Sequence, residues 1–248
     1  MRAADCVRVD SGSGRTLGWT KPSIAGVAVA IDPTVRRPPL ETVESGREHR
    51  VTISRGFFGH HDPRAVDLPP GQHLTHGFPV LTAGPTQLIS TEVWSFTITP
   101  ESGQPRRWSW TEMMALPSEE INVDIHCVTR WTKLGTRWRG VALDTFFEEV
   151  ETDDEYAMVH SYGGYTTNLP LEDLVGGKAW IVYEYEGEPL HVEHGGPARL
   201  LVPHLYFWKS AKWVNGVTMQ RSDEPGFWEG FGYHNYGNPW REERYAGD

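Results

Sequence analysis

Apolar and polar residues alternate in several short runs of the chain, and such alternation predicts β-strands. The runs are residues 93–99 (VWSFTIT), 123–127, 157–161, 179–185, 199–203 and 213–219. Helical patterns are fewer and shorter: residues 111–116 before Pro117, a helix capped by Asp144, and a turn opening at Pro170. Because strands outnumber helices and do not alternate regularly with them, we predict a mixed α+β fold with a β-rich core.

The first fifty residues differ from the rest. They contain Gly/Ser and Pro/Arg stretches and one apolar run, residues 24–31 (IAGVAVAI). That run has the length of a secretory signal core, but no small-x-small cleavage site is obvious, and Arg36 and Arg37 follow the run instead of preceding it. We therefore expect residues 1–50 to be a poorly ordered tail and residues 51–248 to form the folded domain.

Composition excludes several classes of protein. The 248 residues carry 23 Lys and Arg against 33 Asp and Glu, a net charge of −10, which argues against nucleic-acid binding through a general positive field. No run approaches the roughly 18 apolar residues of a membrane helix. Two cysteines, Cys6 and Cys127, exclude a disulfide scaffold. Neither GxGxxG nor GxxxxGK[ST] occurs. The eleven tryptophans suit a core, a sugar platform or a cofactor cleft equally well.

Cys127 is the first candidate for chemistry. It ends an apolar strand and enters a polar turn in the stretch DIHCVTRW, and catalytic groups are often presented where strands become loops. A buried structural thiol is one interpretation, and a soft ligand for a single redox metal within a larger cofactor is another. His126 is a poor base for a nucleophilic Cys127, because successive strand side chains point to opposite faces.

The second candidate is the stretch EHGGPAR at residues 193–199, followed by YFWKSAKW at residues 206–213. The glycines predict a tight turn, and Ser210 and Lys212 are expected on one side of an extended segment. Together with Arg199 they suit an anionic, planar ligand, although an ordinary surface hairpin fits the same pattern. His191 and His194 lack an evident third ligand for zinc.

Five blocks in this order resemble the sulfite oxidase family of molybdopterin-dependent oxidoreductases: HCVTRW, GYTTNLPLEDL, EHGGPARLLVP, YFWKSAKWV and GFWEGFGYH. With LPPGQ at residues 68–72 and FPVL at residues 78–81, the resemblance covers about residues 52–245. It is strongest to the short cytosolic bacterial branch that consists of the cofactor domain alone, since no counterpart of the family's dimerisation or haem domain is seen. The fold implied is a β-rich α+β molybdopterin-binding domain.

The resemblance also implies roles for particular residues. Cys127 would be the protein thiolate bound to molybdenum, and Tyr233, spaced from Trp228 like the active-site tyrosine of sulfite oxidases, would line the substrate pocket. Cys127 and Tyr233 are therefore the implied catalytic residues. The residues implied to hold the molybdenum cofactor are Thr75, His76, Ser161, His194, Arg199, Ser210, Ala211 and Lys212.

The departures from the family concern the substrate. Sulfite oxidases carry arginines that hold sulfite where this chain has Thr75 and Thr132, and Arg130 or Arg137 would have to compensate. We therefore expect oxygen-atom transfer with either sulfite or a small S- or N-oxide as substrate, the less charged oxide being favoured. The alternatives from other classes are a Trp-rich ligand-binding module without cofactor and a zinc hydrolase.

Partners and location follow from the same resemblance. With no haem motif and one cysteine in the matched region, the chain has no means of building an iron–sulfur cluster or c-type haem of its own. Electrons are expected to pass to or from a separate redox protein or a small carrier. A cytoplasmic location is implied, with neither nucleic acid nor membrane as a partner.

Overall fold

A computed structural model describes residues 67–248. The expected boundary between residues 50 and 51, the apolar run at residues 24–31 and Cys6 lie outside the described residues. Strands predominate and helices are few and short, so the predicted β-rich α+β class is confirmed. Between residues 67 and 248, no helix has both the length and the apolar character needed to cross a membrane.

Strands and helices follow one another irregularly. In chain order the strands are β1 His73–Leu74, β2 Ser95–Thr99, β3 Arg106–Ser109, β4 Glu119–His126, β5 Trp131–Ala142, β6 Tyr156–Ser161, β7 Thr166–Pro170, β8 Trp180–Tyr185, β9 Glu188–Pro189, β10 Arg199–Leu201 and β11 Val214–Gln220. The α-helices are α1 Trp110–Met114, α2 Leu143–Phe147 and α3 Phe227–Gly230. Single 3₁₀ turns occupy Leu171–Asp173, Val192–His194, Phe207–Lys209 and Pro239–Arg241.

The strands form two mixed sheets. The first sheet has the order β1-β5-β8-β10, with β4 paired to β5 and β9 to β8. The second sheet has the order β3-β2-β11-β6-β7. Most pairs are antiparallel, and the exceptions are β1 with β5 and β2 with β11. The long hairpin formed by β4 and β5 belongs to the first sheet, and Cys127 lies at its tip.

Both faces of the first sheet are buried, and they face different clusters. Ile181 and Leu200 point into the main core, which they share with Phe96 and Val217 of the second sheet. The residues that follow them in sequence point the other way, into a smaller cluster that contains Cys127, Trp131 and Trp138. Period-two alternation along β8 and β10 thus separates the shared core from the face that carries the candidate thiol.

Most of the tryptophans contribute to these cores. Of the ten tryptophans among residues 67–248, six are buried, namely Trp94, Trp108, Trp131, Trp138, Trp180 and Trp213. Large rigid rings bury much apolar area each, so the high tryptophan content is explained mainly by packing. This weighs against the interpretation of the chain as a Trp-rich platform for sugars.

Two local predictions were wrong. Asp144 does not cap α2, whose first residue follows Ala142 at the N-cap position; its carboxylate instead accepts the backbone N–H groups of Gly176 and Gly177 at 2.6 and 3.0 Å. Residues 210–212 do not form an extended strand, because they follow a 3₁₀ turn and lead into a second turn. Both errors arise from contacts with segments distant in sequence, which local patterns do not contain.

Gly140 offers a test of how tightly β5 packs on β8. A Cβ at this position would lie 2.4 Å from the carbonyl oxygen of Ile181 and 2.8 Å from Cα of Val182. Gly140→Ala should therefore lower the free energy of unfolding by about 1–3 kcal/mol, as overpacking typically does, measured by urea denaturation. Gly84→Ala is the matched control, since its Cβ would have no neighbour within 4 Å. Equal stability of the two variants would contradict the described strand packing.

Candidate functional site

Cys127 lies at the tip of the hairpin that joins β4 to β5. Its backbone N–H donates to the carbonyl of Trp131 at 2.9 Å, and its carbonyl accepts from Arg130 at 3.0 Å. Arg130 has a φ of 76°, so the chain reverses sharply. The thiol is 7% exposed and lies 3.1 Å from the hydroxyl of Thr129. Burial raises the pKa of the Cys127 thiol, and the Thr129 hydrogen bond partly opposes that rise.

The turn after Val192–His194 requires glycine at two positions. Gly195 has a φ of 110°, and a Cβ there would lie 3.0 Å from Cα of Lys212. A Cβ at Gly196 would lie 2.1 Å from the carbonyl oxygen of Leu190. The missing side chains allow this turn to pack directly on the segment that contains Lys212. The two stretches that the sequence singled out are therefore brought together.

Arg199 is buried beneath this junction. Its guanidinium donates to the carbonyl of His194 at 2.8 Å and to the carbonyl of Ser210, and it lies 4.0 Å above the ring of Phe207. Within residues 67–248, no carboxylate lies within salt-bridge distance of Arg199. Burial lowers the pKa of Arg199 to about 9. The side chain has partners for hydrogen bonding but none that neutralises its charge.

Two further basic side chains share this environment. The ammonium of Lys212 donates to the carbonyl of Glu193 at 2.6 Å, and burial, together with the charge of Arg199, lowers the pKa of Lys212 to about 8. Burial and the charges of Arg199 and Lys212 lower the pKa of His194 to about 4. The neutral imidazole of His194 stacks on Phe78 with centroids 3.9 Å apart. Phe78 is a contact that sequence reasoning missed, although its FPVL stretch was noted.

Several polar groups of the implied cofactor-binding residues have no partner within the described residues. The hydroxyl of Ser161 and Nδ1 of His194 are buried without a hydrogen bond. The backbone N–H groups of Ala211 and Lys212 donate to no acceptor within residues 67–248. The hydroxyl of Ser210, in contrast, accepts from the N–H of Val202 at 2.8 Å, which leaves its own hydrogen free to donate. Unpaired donors beside uncompensated positive charge suit an anionic ligand.

Tyr233 lies toward the Cys127 end of the site, because it pairs with Tyr245, the neighbour of the Arg244 that bonds to the Cys127 turn. Its ring packs on Trp228 and Trp208 with centroids 5.0 and 5.3 Å apart, and its backbone forms a β-bridge with Tyr245. Burial raises the pKa of Tyr233, and Tyr245 and Cys127 raise it further.

The N-terminal residues of the site approach along β1. The backbone N–H of Thr75 donates to the carbonyl of Thr132 at 2.9 Å, and the carbonyl of the exposed His76 accepts from Lys133 at 2.7 Å. Two residues further on, Phe78 stacks on His194. The structure thus places the backbone of Thr75 and His76 beside β5, shortly before the Phe78 that contacts His194.

Thr132, which stands where a sulfite-binding arginine would be, and Arg137, a possible replacement for it, are placed differently. Thr132 is fully buried, and its hydroxyl lies 2.9 Å from Nδ1 of His126 and 3.4 Å from the amide oxygen of Gln72. Arg137 lies 3.9 Å from Glu186 in an exposed ion pair. Thr132 therefore faces the interior, and the charge of Arg137 is already paired.

A buried cation that sequence reasoning missed supports the thiol turn. Arg244 donates to the carbonyl of Val128 at 2.6 Å and to the carbonyl of Pro70 at 3.1 Å. Gln72 donates to the carbonyl of Cys127 at 3.0 Å. No local pattern could have identified Arg244, because its partners precede it by 116 and 174 residues.

The family profile of the oxidoreductase molybdopterin-binding domain matches residues 83–228, more than half of the chain. The chain belongs to this family. It is therefore an oxidoreductase whose cofactor is the molybdenum complex of molybdopterin, and the resemblance noted in the sequence is confirmed. The matched region includes Cys127 and ends before Tyr233.

Individual relatives agree with this assignment. YuiH, an oxidoreductase of Bacillus subtilis, is 40% identical over 184 residues, which cover 73% of this chain and 93% of that protein. The protein-methionine-sulfoxide reductase catalytic subunit MsrP of Pseudomonas syringae is 24% identical over 65% of this chain. Human mitochondrial sulfite oxidase is 23% identical over 80% of this chain. The chain spans only 52% of MsrP and 38% of the sulfite oxidase.

A solved structure has the same fold. The sulfane dehydrogenase SoxCD of Paracoccus pantotrophus superposes with a TM-score of 0.51 and 17% sequence identity. The superposition covers 55% of this chain and 40% of that one. At this identity the likeness shows a shared sulfite-oxidase-type fold.

The donor set fits a molybdopterin cofactor. Between residues 67 and 248, no group of three or more His, Cys, Asp or Glu side chains could hold a metal ion alone, and the rings of His191 and His194 lie 6.4 Å apart without a third ligand. A single soft thiol suffices where the cofactor supplies the other ligands. The unpaired donors and cations at His194, Arg199 and Lys212 would offset the charge of a phosphate.

The pKa of His194 generates a prediction about stability. Since its pKa is about 4 in the folded protein and about 6.5 when unfolded, the unfolded state binds the extra proton between these values. The free energy of unfolding of the cofactor-free protein should therefore fall as pH drops from 6.5 to 4. Burial lowers the pKa of His126 and His160 as well, so His194→Gln should reduce this slope without abolishing it.

The measurement is urea denaturation at pH 4.5, 5.5 and 7. His191→Gln is the matched control, because His191 belongs to the same turn and is exposed; its variant should keep the wild-type slope. A slope in His194→Gln equal to that of wild type would contradict the burial of a neutral imidazole.

Proposed function

We propose that this domain catalyses oxygen-atom transfer at a molybdenum centre to which Cys127 is the protein ligand. The observation that carries the proposal is the combination of a buried thiol at Cys127 with uncompensated cations at Arg199 and Lys212. When bound, the cofactor supplies two-electron redox chemistry. The chain supplies placement, charge and exclusion of water.

At the metal end, Cys127 provides the soft sulfur ligand and must lose its proton to do so. Its burial keeps the thiol protonated in the absence of metal, which protects it from oxidation. The hydroxyl of Tyr233 lines the substrate pocket and donates a hydrogen bond to an oxygen of the substrate.

At the pterin end, the proposed contacts come from four segments. They are Thr75 and His76, Ser161, His194 and Arg199, and Ser210, Ala211 and Lys212. The hydrogen bonds of Arg199 to backbone carbonyls support a double role: it fixes the two loops that meet there, and it contributes positive charge toward the phosphate. The backbone N–H groups of Ala211 and Lys212 supply direct donors.

Electrons are proposed to come from or pass to a separate redox protein or small carrier. The similar MsrP protein is named a catalytic subunit, which supports a division of labour between catalysis and electron delivery. We also propose a cytoplasmic location, on the basis of the resemblance to the short cytosolic branch, and a folded domain that begins near residue 51.

Cys127→Ser tests the proposal directly. A neutral hydroxyl replaces a soft thiolate, so turnover should fall to background while the variant keeps its fold. Redox-dye kinetics, circular dichroism and molybdenum analysis of protein made in a cofactor-competent host provide the readouts. Cys6→Ser is the matched control and should retain wild-type activity and about one molybdenum per chain. Turnover near the wild-type rate in Cys127→Ser would refute the proposal.

The substrate is proposed to be a weakly charged oxide in preference to sulfite. A site selective for a small dianion needs fixed cations near the reacting atom, whereas the hydroxyl of Thr132 is directed inward and Arg137 is paired. Exposed aromatic side chains adjoin Tyr233 instead. Tyr245 is 53% exposed with its ring 5.5 Å from that of Tyr233, and Phe231 is 67% exposed beside Trp228. Such a rim suits an organic S- or N-oxide.

Two dye assays distinguish these substrates. Methyl phenyl sulfoxide should oxidise reduced viologen in the presence of the enzyme at low substrate concentration, whereas sulfite should reduce an oxidant dye only with a high KM. Phe231→Ala should raise the KM for the aromatic sulfoxide more than the KM for dimethyl sulfoxide. Efficient oxidation of micromolar sulfite that is lost in Arg130→Ala would contradict the preference and assign the missing cation to Arg130.

A further inference from the structure

Lys209 and Glu229 form a fully buried ion pair that the proposed chemistry does not use. The ammonium and the carboxylate oxygen Oε1 lie 2.6 Å apart, and each side chain is 1% exposed. Lys209 immediately precedes the proposed phosphate segment, residues 210–212. Glu229 lies on α3, four residues before Tyr233. The pair therefore joins the two ends of the candidate site.

Lys209 also holds the chain on the far side of Tyr233. Its ammonium donates to the backbone carbonyl of Asn235 at 2.7 Å and to the backbone carbonyl of Asn168 at 2.8 Å. Asn168 belongs to β7, so these bonds fasten the loop after Tyr233 to the second sheet. Four acceptors around one ammonium fix its position closely.

Glu229 is linked to Tyr233 indirectly, through Trp208. Its Oε1 accepts from Nε1 of Trp208 at 2.8 Å and from the hydroxyl of Thr167 at 3.2 Å. The ring of Trp208 in turn packs edge-on against Tyr233 at 5.3 Å. The second carboxylate oxygen, Oε2, is buried without a donor. One carboxylate oxygen of the pair therefore lacks the hydrogen bond that a pair serving stability alone would be expected to have.

Buried ion pairs are weak contributors to stability. The cost of removing both charges from water often equals or exceeds their attraction, and apolar residues of similar size can be as stable. What such a pair does provide is a defined geometry. Here the pair fixes the relative positions of two segments, residues 208–210 and residues 229–235. These segments flank the proposed substrate and phosphate contacts.

We propose that Lys209 and Glu229 are positioning residues that set the location of Tyr233 through Trp208 and Asn235. This inference rests on the proposed role of Tyr233 as the substrate-contacting residue. If it is right, weakening the link between Glu229 and Trp208 displaces the tyrosine ring and lowers turnover without removing the cofactor.

A double-mutant cycle tests the link, using molybdenum-loaded protein with methyl phenyl sulfoxide as substrate and reduced viologen as electron donor. Glu229→Leu removes the acceptor for Trp208 and should lower kcat by the same factor as Tyr233→Phe. Combined with Tyr233→Phe, it should cause no further loss. Glu229→Gln keeps an oxygen that accepts from the indole and should restore most of kcat. Molybdenum content should stay at the wild-type level in all of these proteins.

Glu229→Leu leaves a buried ammonium unpaired and can therefore fail to fold. A second variant tests the same link with the ion pair intact. Trp208→Phe keeps the ion pair and an aromatic ring but removes the indole N–H. It should lower kcat with little change in KM. Glu149→Leu is the matched control, because Glu149 binds Arg106 at 2.8 Å and lies within 3.5 Å of Nε1 of Trp108, in a partly exposed pair. Its kcat should be unchanged.

A spectroscopic readout is independent of turnover. Fluorotyrosine incorporated at position 233 should give one sharp ¹⁹F resonance in the cofactor-free wild-type protein, and this resonance should shift or broaden in Trp208→Phe but not in Glu149→Leu. Unchanged spectra, or losses in kcat that multiply with those of Tyr233→Phe, would overturn the positioning role. If Tyr233→Phe itself keeps full turnover, the proposed role of the tyrosine fails instead.

Discussion

The guanidinium of Arg199 is the constraint on which the candidate site depends. It is fully buried and bonded to the carbonyls of His194 and Ser210, so it fastens together two loops that local interactions would leave separate. Backbone carbonyls satisfy its donors without cancelling its charge. Burial, together with the resulting positive potential, lowers the pKa of both His194 and Lys212. An anionic group bound there would relieve the repulsion.

The architecture of the first sheet explains why the site can be both rigid and accessible. One face contributes to the core shared with the second sheet, which fixes the strands. The opposite face carries a smaller aromatic cluster in which Phe78 contacts Trp131, His194 and Phe207. Because Cys127 is presented by a hairpin tip at the edge of this cluster, the thiol is buried without being enclosed in the main core.

The surroundings of Cys127 and Tyr233 are built by segments from both ends of the described residues. Gln72 and Arg244 bind carbonyls of the Cys127 turn, and Tyr245 pairs with Tyr233. The cations Arg199 and Lys212 are grouped around the His194 turn, while aromatic rings surround Tyr233.

The sequence alone determined the strand-rich class, the presentation of Cys127 at a strand end, and the glycine turn before Arg199, because each depends on alternation or on backbone freedom within a few residues. The five ordered blocks also sufficed to indicate the family. Only the tertiary structure decided that Thr132 faces inward, that Arg137 is paired, that Phe78 stacks on His194 and that Lys209 meets Glu229. Alternation predicts that neighbouring side chains occupy opposite faces, but not which face meets which segment. Contacts such as that between Arg244 and Pro70 join residues 174 positions apart, and they exist only once packing has chosen the partner.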